Sequence, residues 1–297
     1  MHIETQSMQI GRGGTEHAMD IQYRSASLAN PPASLLAVSR LACRRRELLA
    51  ALIRRELVER WRGTLLGILG PILLPLLMLG IYTLVLGTVL GRHATGDAAP
   101  WPLALTIYAG LLLYQCMADC LQQGPGAIAR NPAYVSKVVF PLELPPLALV
   151  IKSLLIAWLH TGIWLLWARL GYGPLPAGAF LILLVPLLLA PFLLAAAFAL
   201  SALGLFLRDL THFTVLASLA LLFLSPVFYG LKDAPAWMQP WLQLNPLTVP
   251  IEAQRALLSG SQPDLPVLIA YLFAGLICAW IALYVFQRLR KGFADVI

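Results

Sequence analysis

Residues 170–207, LGYGPLPAGAFLILLVPLLLAPFLLAAAFALSALGLFL, run for 38 positions without an Asp, Glu, Lys or Arg. A helix needs roughly 20 apolar residues to cross a bilayer and a barrel strand about 10 that alternate, so this stretch reads as a spanning helix with its approach. Four more charge-free runs frame it, at 63–91, 98–118, 210–231 and 265–287, with lengths of 29, 21, 22 and 23 residues. A sixth, 153–168, holds 16 residues and extends back over Lys152 toward Pro145. The 297-residue chain is 59% hydrophobic and 12% charged, with a mean hydropathy of +0.78. Soluble domains average about 45–50% apolar and about 25% charged residues, so the composition describes an all-α integral membrane protein. Six spans are expected, at about 64–90, 102–122, 144–168, 175–207, 210–228 and 265–286.

The first 30 residues lack the apolar core of a cleaved leader, so the first span is expected to direct insertion itself. Placing the N-terminus inside puts 16 of the 21 Lys and Arg residues on the cytoplasmic side, as the positive-inside rule requires, with the C-terminus inside as well. The net charge of +7 then reflects sidedness and contact with anionic lipid, and gives no reason to expect nucleic acid.

Residues 1–34 are polar, carry Gly11, Gly13 and Gly14 and end near Pro31 and Pro32, which predicts a disordered cytoplasmic tail. Over 35–62 the pattern changes: Leu48, Leu49, Leu52, Ile53, Leu57 and Trp61 recur at helical spacing among Arg44, Arg45, Arg54, Arg55, Glu59 and Arg62. This is an amphipathic helix suited to the membrane interface, or to packing on the protein's own loops. Pro71 and Pro75 each remove a backbone donor and predict a bend in span one. Segment 123–143 is broken by Gly124, Pro125 and Gly126, has room for a short helix over 127–138 interrupted at Pro132, and is turned again by Pro141. Such a stiff loop suits the transfer of movement from a soluble partner, although a plain connector would tolerate the same prolines. Segment 229–264 is external but holds two apolar pieces, Ala236–Leu244 and Thr248–Leu258, each too short to span and therefore expected to be re-entrant or interfacial. Tyr229, Trp237 and Trp241 fit an interfacial aromatic belt.

No GxxxxGK[ST], HExxH or GxSxG occurs, so no catalytic residue and no cofactor is expected on this chain. Cys43, Cys116, Cys120 and Cys278 form no CxxC and have no His cluster beside them, which argues against a metal site and a disulfide framework. Cys116 and Cys120 read as small buried residues at a helix contact, and His160 and His212 as structural histidines. Two charges fall inside spans, Asp119 and Lys152. A charge at mid-bilayer costs about 3 kcal/mol on insertion scales, which a pairing across spans two and three, or snorkelling to the interface, would offset.

The Arg-rich helix running into WRGTLLGILGPILLPLL at 61–77 is followed by NPAYVSKVVFPLELPP at 131–146, FLRDLTHF at 206–213, LSPVFY at 224–229 and LNPLTVPIEAQRALLSG at 244–260. Together these resemble the type-2 ABC exporter permeases, and within them the branch that exports O-antigen, capsular polysaccharide and teichoic acid. The likeness covers residue 40 to the C-terminus in order and in spacing, and identifies 35–297 as the transmembrane domain. It implies a homodimer in the bacterial inner membrane, joined to two copies of a separate P-loop ATPase that holds ATP and Mg, moving a lipid-linked glycan outward. It further implies that Ile128, Arg130, Asn131, Tyr134 and Lys137 lie in the coupling segment, and Arg54, Arg55, Trp61 and Arg62 in the interfacial helix beside it. By the same likeness, Asn245, Pro246, Glu252 and Arg255 belong with Tyr229, Trp237 and Trp241 to an external gate. Aromatic faces stack on sugar rings, so Tyr82, Tyr108, Tyr114, Trp158 and Phe228 are candidates for lining a glycan channel or for packing.

A permease for drugs or lipids is the second reading, disfavoured by VVFPLE at 138–143, which is similar to glycan exporters. An ion-coupled secondary transporter would favour internal repeats and midplane ionisable residues, and the two halves share no spacing. A membrane enzyme lacks a catalytic constellation.

Overall fold

The computed structural model describes residues 34–61, 69–85, 103–130, 140–207 and 209–293. Among these residues every regular element is helical. Two short helices come first, α1 (Leu35–Arg44) and α2 (Arg46–Trp61), where the sequence predicts a single one. Ser34 caps α1, its Oγ accepting from the Ala37 amide. The break at Arg45 (φ −109°, ψ 33°) serves two separate contacts. Val38 of α1 joins a cluster with Ile128, Phe198, Phe286 and Phe293, whereas Leu49 and Leu52 of α2 pack on Leu144 and Ala148.

The bundle follows as α3 (Gly70–Val85), α4 (Leu103–Gln123), the single turn α5 (Gly126–Ala129), α6 (Leu144–Tyr172), α7 (Val185–Phe206), α8 (Leu210–Phe223), α9 (Gln239–Leu244), α10 (Thr248–Leu258) and α11 (Leu265–Leu289). Four segments are long and apolar enough to cross a membrane: Ala104–Gln123, Leu144–Gly171, Ala179–Phe206 and Leu265–Gly292. The other two expected spans correspond to shorter apolar helices, Ile72–Tyr82 and Leu210–Phe223. The flanks of the first, 62–68 and 86–102, lie outside the described residues, as do the N-terminal 33 residues. Helix α8 stops at Phe223, short of the expected 228, because Pro226 has no amide to continue the ladder.

Span four does not begin at 175 as one α-helix. Residues Ala179–Leu184 form a 3-10 helix that changes to α-helix at Val185. Pro186 cannot donate to the carbonyl four residues before it, so the preceding turn tightens to i→i+3 bonding. The Leu183 carbonyl accepts from Trp158 Nε1 at 2.9 Å.

Helix α7 is the centre of the bundle, packed on α11, α6, α4 and the α5 turn. Two glycines set how closely its neighbours approach. A Cβ on Gly204 would lie 2.3 Å from the Pro125 carbonyl oxygen, so the loop after α4 is seated directly on α7 backbone. A Cβ on Gly275 of α11 would come within 2.9 Å of Pro191 and Phe192. Lipid tails are as apolar as leucine, so small residues that admit such backbone contact drive helix association in a bilayer. Trp164 fills the core between α6 and α4 and donates to the Leu105 carbonyl at 3.2 Å.

Candidate functional site

Three polar assemblies interrupt this apolar bundle. The first lies where α2, α4, α5 and α6 meet. Lys152 stands eight residues past the start of α6, about 12 Å along its axis, and is fully buried. Its Nζ is 3.0 Å from Asp119 Oδ2 and donates to Gln123 Oε1 at 2.9 Å. Asp119 Oδ2 also accepts from Ser153 Oγ at 2.8 Å, and Asp119 Oδ1 from Gln123 Nε2. Asp119 and Gln123 are four apart on α4 and so share a face, while Lys152 and Ser153 are presented to them by α6. The structure thus brings together the two intramembrane charges and satisfies both. Glu56 of α2 completes the group, with Oε2 at 4.0 Å from Lys152 Nζ and Oε1 at 3.9 Å from Arg130 Nη2.

The α5 turn carries Ile128, which is fully buried, and Arg130, which is exposed and donates from Nε to the Gly126 carbonyl. The helix expected over 127–138 is described only as Gly126–Ala129; Asn131, Tyr134 and Lys137 lie outside the described residues. Arg54 and Arg55 are exposed on α2, Trp61 ends that helix, and Arg62 lies outside the described residues.

The second assembly joins the start of α6 to the end of α11. Glu143, 1% exposed, accepts from Arg290 Nη1 at 2.7 Å and from Gln287 Nε2 at 2.9 Å. Nothing in the sequence pairs Glu143 with Arg290 or Gln287.

The third assembly is the 224–258 segment. Arg255 donates from Nη2 to the Val227 carbonyl and from Nη1 to the Tyr229 carbonyl, each at 2.9 Å, and Nη1 is 3.0 Å from Glu252 Oε1. Asn245 Nδ2 donates to the Leu224 carbonyl and to Ser225 Oγ, and its Oδ1 accepts from the Leu247 amide, each at 2.9 Å. The Pro246 carbonyl accepts from Tyr271 of α11 at 2.7 Å. Buried backbone outside regular helix must have its polar groups satisfied by protein, and Arg255 and Asn245 do this for the turn after α8. Helix α9 starts at Gln239, three residues later than the expected 236, with Pro240 in its first turn. Trp237 and Trp241 are exposed. Partial burial raises the Tyr229 phenol above its usual pKa, and its neutral hydroxyl donates to the Phe223 carbonyl.

The candidate channel aromatics do not form one group. Tyr108 is buried, donates to the Pro75 carbonyl at 3.1 Å and packs against Tyr82, tying α4 to α3. Tyr114 is half-buried beside Ser218 of α8, and Trp158 is held by Leu183. Phe228 is exposed and stacks on Phe223. Cys116 and Cys120 are buried, and no group of metal-binding side chains occurs among the described residues. Glu56, like Gln123, Ser153 and Glu143, is a site residue that sequence reasoning missed. The signal was present, since Leu49, Leu52 and Glu56 follow at three- and four-residue spacing and place a carboxylate on the packed stripe of α2.

Membrane-length apolar helices held together by small residues and buried charge pairs make this a multi-pass membrane protein. The chain belongs to the ABC-2 type transporter family, whose model matches residues 47–259. It is 28% identical over 257 residues to the O-antigen export system permease protein RfbA of Myxococcus xanthus, covering 85% of this chain and 96% of that protein. An O-antigen export system permease protein RfbA of Klebsiella pneumoniae is 24% identical over 253 residues, covering 84% of this chain and 95% of the relative.

Proposed function

We propose that this chain is the six-span permease of an ATP-driven exporter that moves a lipid-linked polysaccharide from cytoplasm to periplasm across the bacterial inner membrane. The observation that carries the reading is likeness to O-antigen export permeases over 84–85% of the chain. Helices α3 and α8 supply the first and fifth spans, and both termini are cytoplasmic. Two copies pair through apolar faces such as Leu73, Leu77 and Ile81 of α3 and Phe213, Leu216 and Phe223 of α8, all exposed in the single chain. Two copies of a separate P-loop ATPase, which binds ATP and Mg, dock on the α5 turn and the residues after it.

ATP-driven closure of the ATPases displaces Arg130, Asn131, Tyr134 and Lys137, and the Arg-rich α2 moves with them. The permeases then part at their shared face. The α9–α10 segment, re-entrant from the periplasmic side, keeps the outer mouth closed to ions until polymer enters, and exposed rings such as Phe228 meet the sugar.

Deleting the gene and locating the cell's long-chain glycan tests this. Loss of surface polymer with lipid-linked chains accumulating inside is the expected result. Unchanged surface polymer would overturn the glycan assignment in favour of a drug or lipid permease. Arg130→Glu and Tyr134→Ala are expected to uncouple ATP turnover from export, and normal export in both would reject the coupling assignment.

A further inference from the structure

Among the described side chains of α2, Glu56 is the carboxylate that reaches the buried charge cluster, and it lies between two cations on different elements. Arg130 Nη2 at 3.9 Å ends the α5 turn, and Lys152 Nζ at 4.0 Å belongs to α6. A closed charge-assisted hydrogen bond spans about 2.7–2.9 Å, so each contact is open by about 1 Å. Lys152 does not depend on Glu56 for neutralisation, since Asp119 and Gln123 hold it at 3.0 and 2.9 Å. An anion so placed tightens onto either cation with a small shift of α2, and tightening onto one loosens the other.

We infer that Glu56 is the positioning residue that passes displacement of the α5 turn to the spans. Movement of Arg130 changes its hold on Glu56, and Glu56 in turn changes its hold on Lys152. Lys152 is clamped to α4 through Asp119 and Gln123, so α4 and α6 respond together. The α5 turn cannot absorb the movement itself, because Gly204 seats Pro125 directly on α7 and Ile128 is buried beneath it. The outward route through α2 is the compliant one, because the Glu56 side chain keeps 22% of its surface exposed and Arg130 keeps 49%. The inference rests on the proposed ATPase-driven export, and adds to it the residue through which the drive reaches the spans.

The test uses the full permease–ATPase complex in liposomes and reads glycan exported per ATP hydrolysed, with thermal unfolding measured alongside. Glu56→Gln is expected to lower that ratio about tenfold at an unchanged unfolding temperature, and Glu56→Asp to restore most of it. Glu56→Gln combined with Arg130→Gln is expected to do no more harm to the ratio than the worse single change, because both break one contact path. A normal ratio in Glu56→Gln, or losses that multiply in the double variant, overturns the role of Glu56 and leaves the exporter reading intact. Failure of the wild-type chain to bring down an ATPase, or to export glycan with one, overturns both. Should Glu56→Gln lower the unfolding temperature, Glu56→Leu separates fold from coupling. A stable Glu56→Leu complex with a normal ratio rejects the inference, and one with a tenfold lower ratio supports it.

Discussion

Arg290 and Glu143 are separated by 147 positions in the chain and meet at 2.7 Å, closing the turn after α11 onto the start of α6. Glu143 is almost wholly buried, so the pair holds the end of α11 against the segment that leads into span three. Truncating one member of a buried pair leaves an uncompensated charge and costs about 3–5 kcal/mol. Arg290→Ala is therefore expected to lower the unfolding temperature of the detergent-solubilised protein sharply. Glu143→Gln with Arg290→Gln, which leaves no buried charge, is expected to cost less than Arg290→Ala alone. An equal or larger loss in the double variant would show that Glu143 is solvated.

The Asp119–Lys152 contact makes a parallel prediction for the first assembly. Asp119→Asn leaves Lys152 facing only Glu56 at 4.0 Å and an uncharged amide, and Lys152→Gln leaves Asp119 with neutral donors. Each single change is expected to destabilise by about 3 kcal/mol or more, and the double change to recover about half of the summed loss. A double-mutant cycle on thermal unfolding measures this. Additive losses would mean that the two side chains do not share a field.

Such pairs mark where sequence reading succeeds and where it stops. Asp119 and Lys152 stand out because a charge inside an apolar run is costly, and the cost itself points to a partner. Glu143 and Arg290 lie at the edges of apolar runs, where charges are ordinary, so nothing local distinguishes a buried carboxylate from a solvated one. The long apolar segments are legible by length, and four of them are found as membrane-length helices. The ends of spans four and five shift because Pro186 and Pro226 act on backbone bonding, which hydropathy does not register. Asn245 and Arg255 are visible as polar residues in an apolar stretch. Their task of satisfying carbonyls 21 to 28 residues back is a tertiary fact.

Gly204 gives a third prediction. A methyl group there would meet the Pro125 backbone at 2.3–2.7 Å, and neither α7 nor the loop can yield by rotating a side chain. Overpacking of this kind costs about 1–3 kcal/mol. Gly204→Ala is expected to destabilise by that amount and to expose the α5 turn, read as faster amide exchange over 124–130. Unchanged exchange would show that the contact opens freely.

Arg255 carries the last prediction, because one guanidinium serves two carbonyls and a carboxylate at once. Nη2 reaches Val227, and Nη1 reaches both Tyr229 and Glu252, so the planar fork fixes the 227–231 turn against α10. Arg255→Leu leaves both carbonyls and the Glu252 carboxylate without this donor. Each buried acceptor left unmatched costs about 1–3 kcal/mol, and loss of the tie between the 227–229 turn and α10 is expected to free the whole α9–α10 segment. Amide exchange over 227–258 should accelerate at least tenfold, with the bundle helices unaffected. In a planar bilayer the same variant should raise basal ion conductance. Arg255→Lys keeps the charge but not the fork, and a single ammonium cannot span the two carbonyls with the same geometry. Its exchange rates are therefore expected to fall between wild type and Arg255→Leu. If Lys serves as well as Arg, one cationic donor to the turn is enough, and the two-pronged geometry of the guanidinium is not what holds 227–229 to α10.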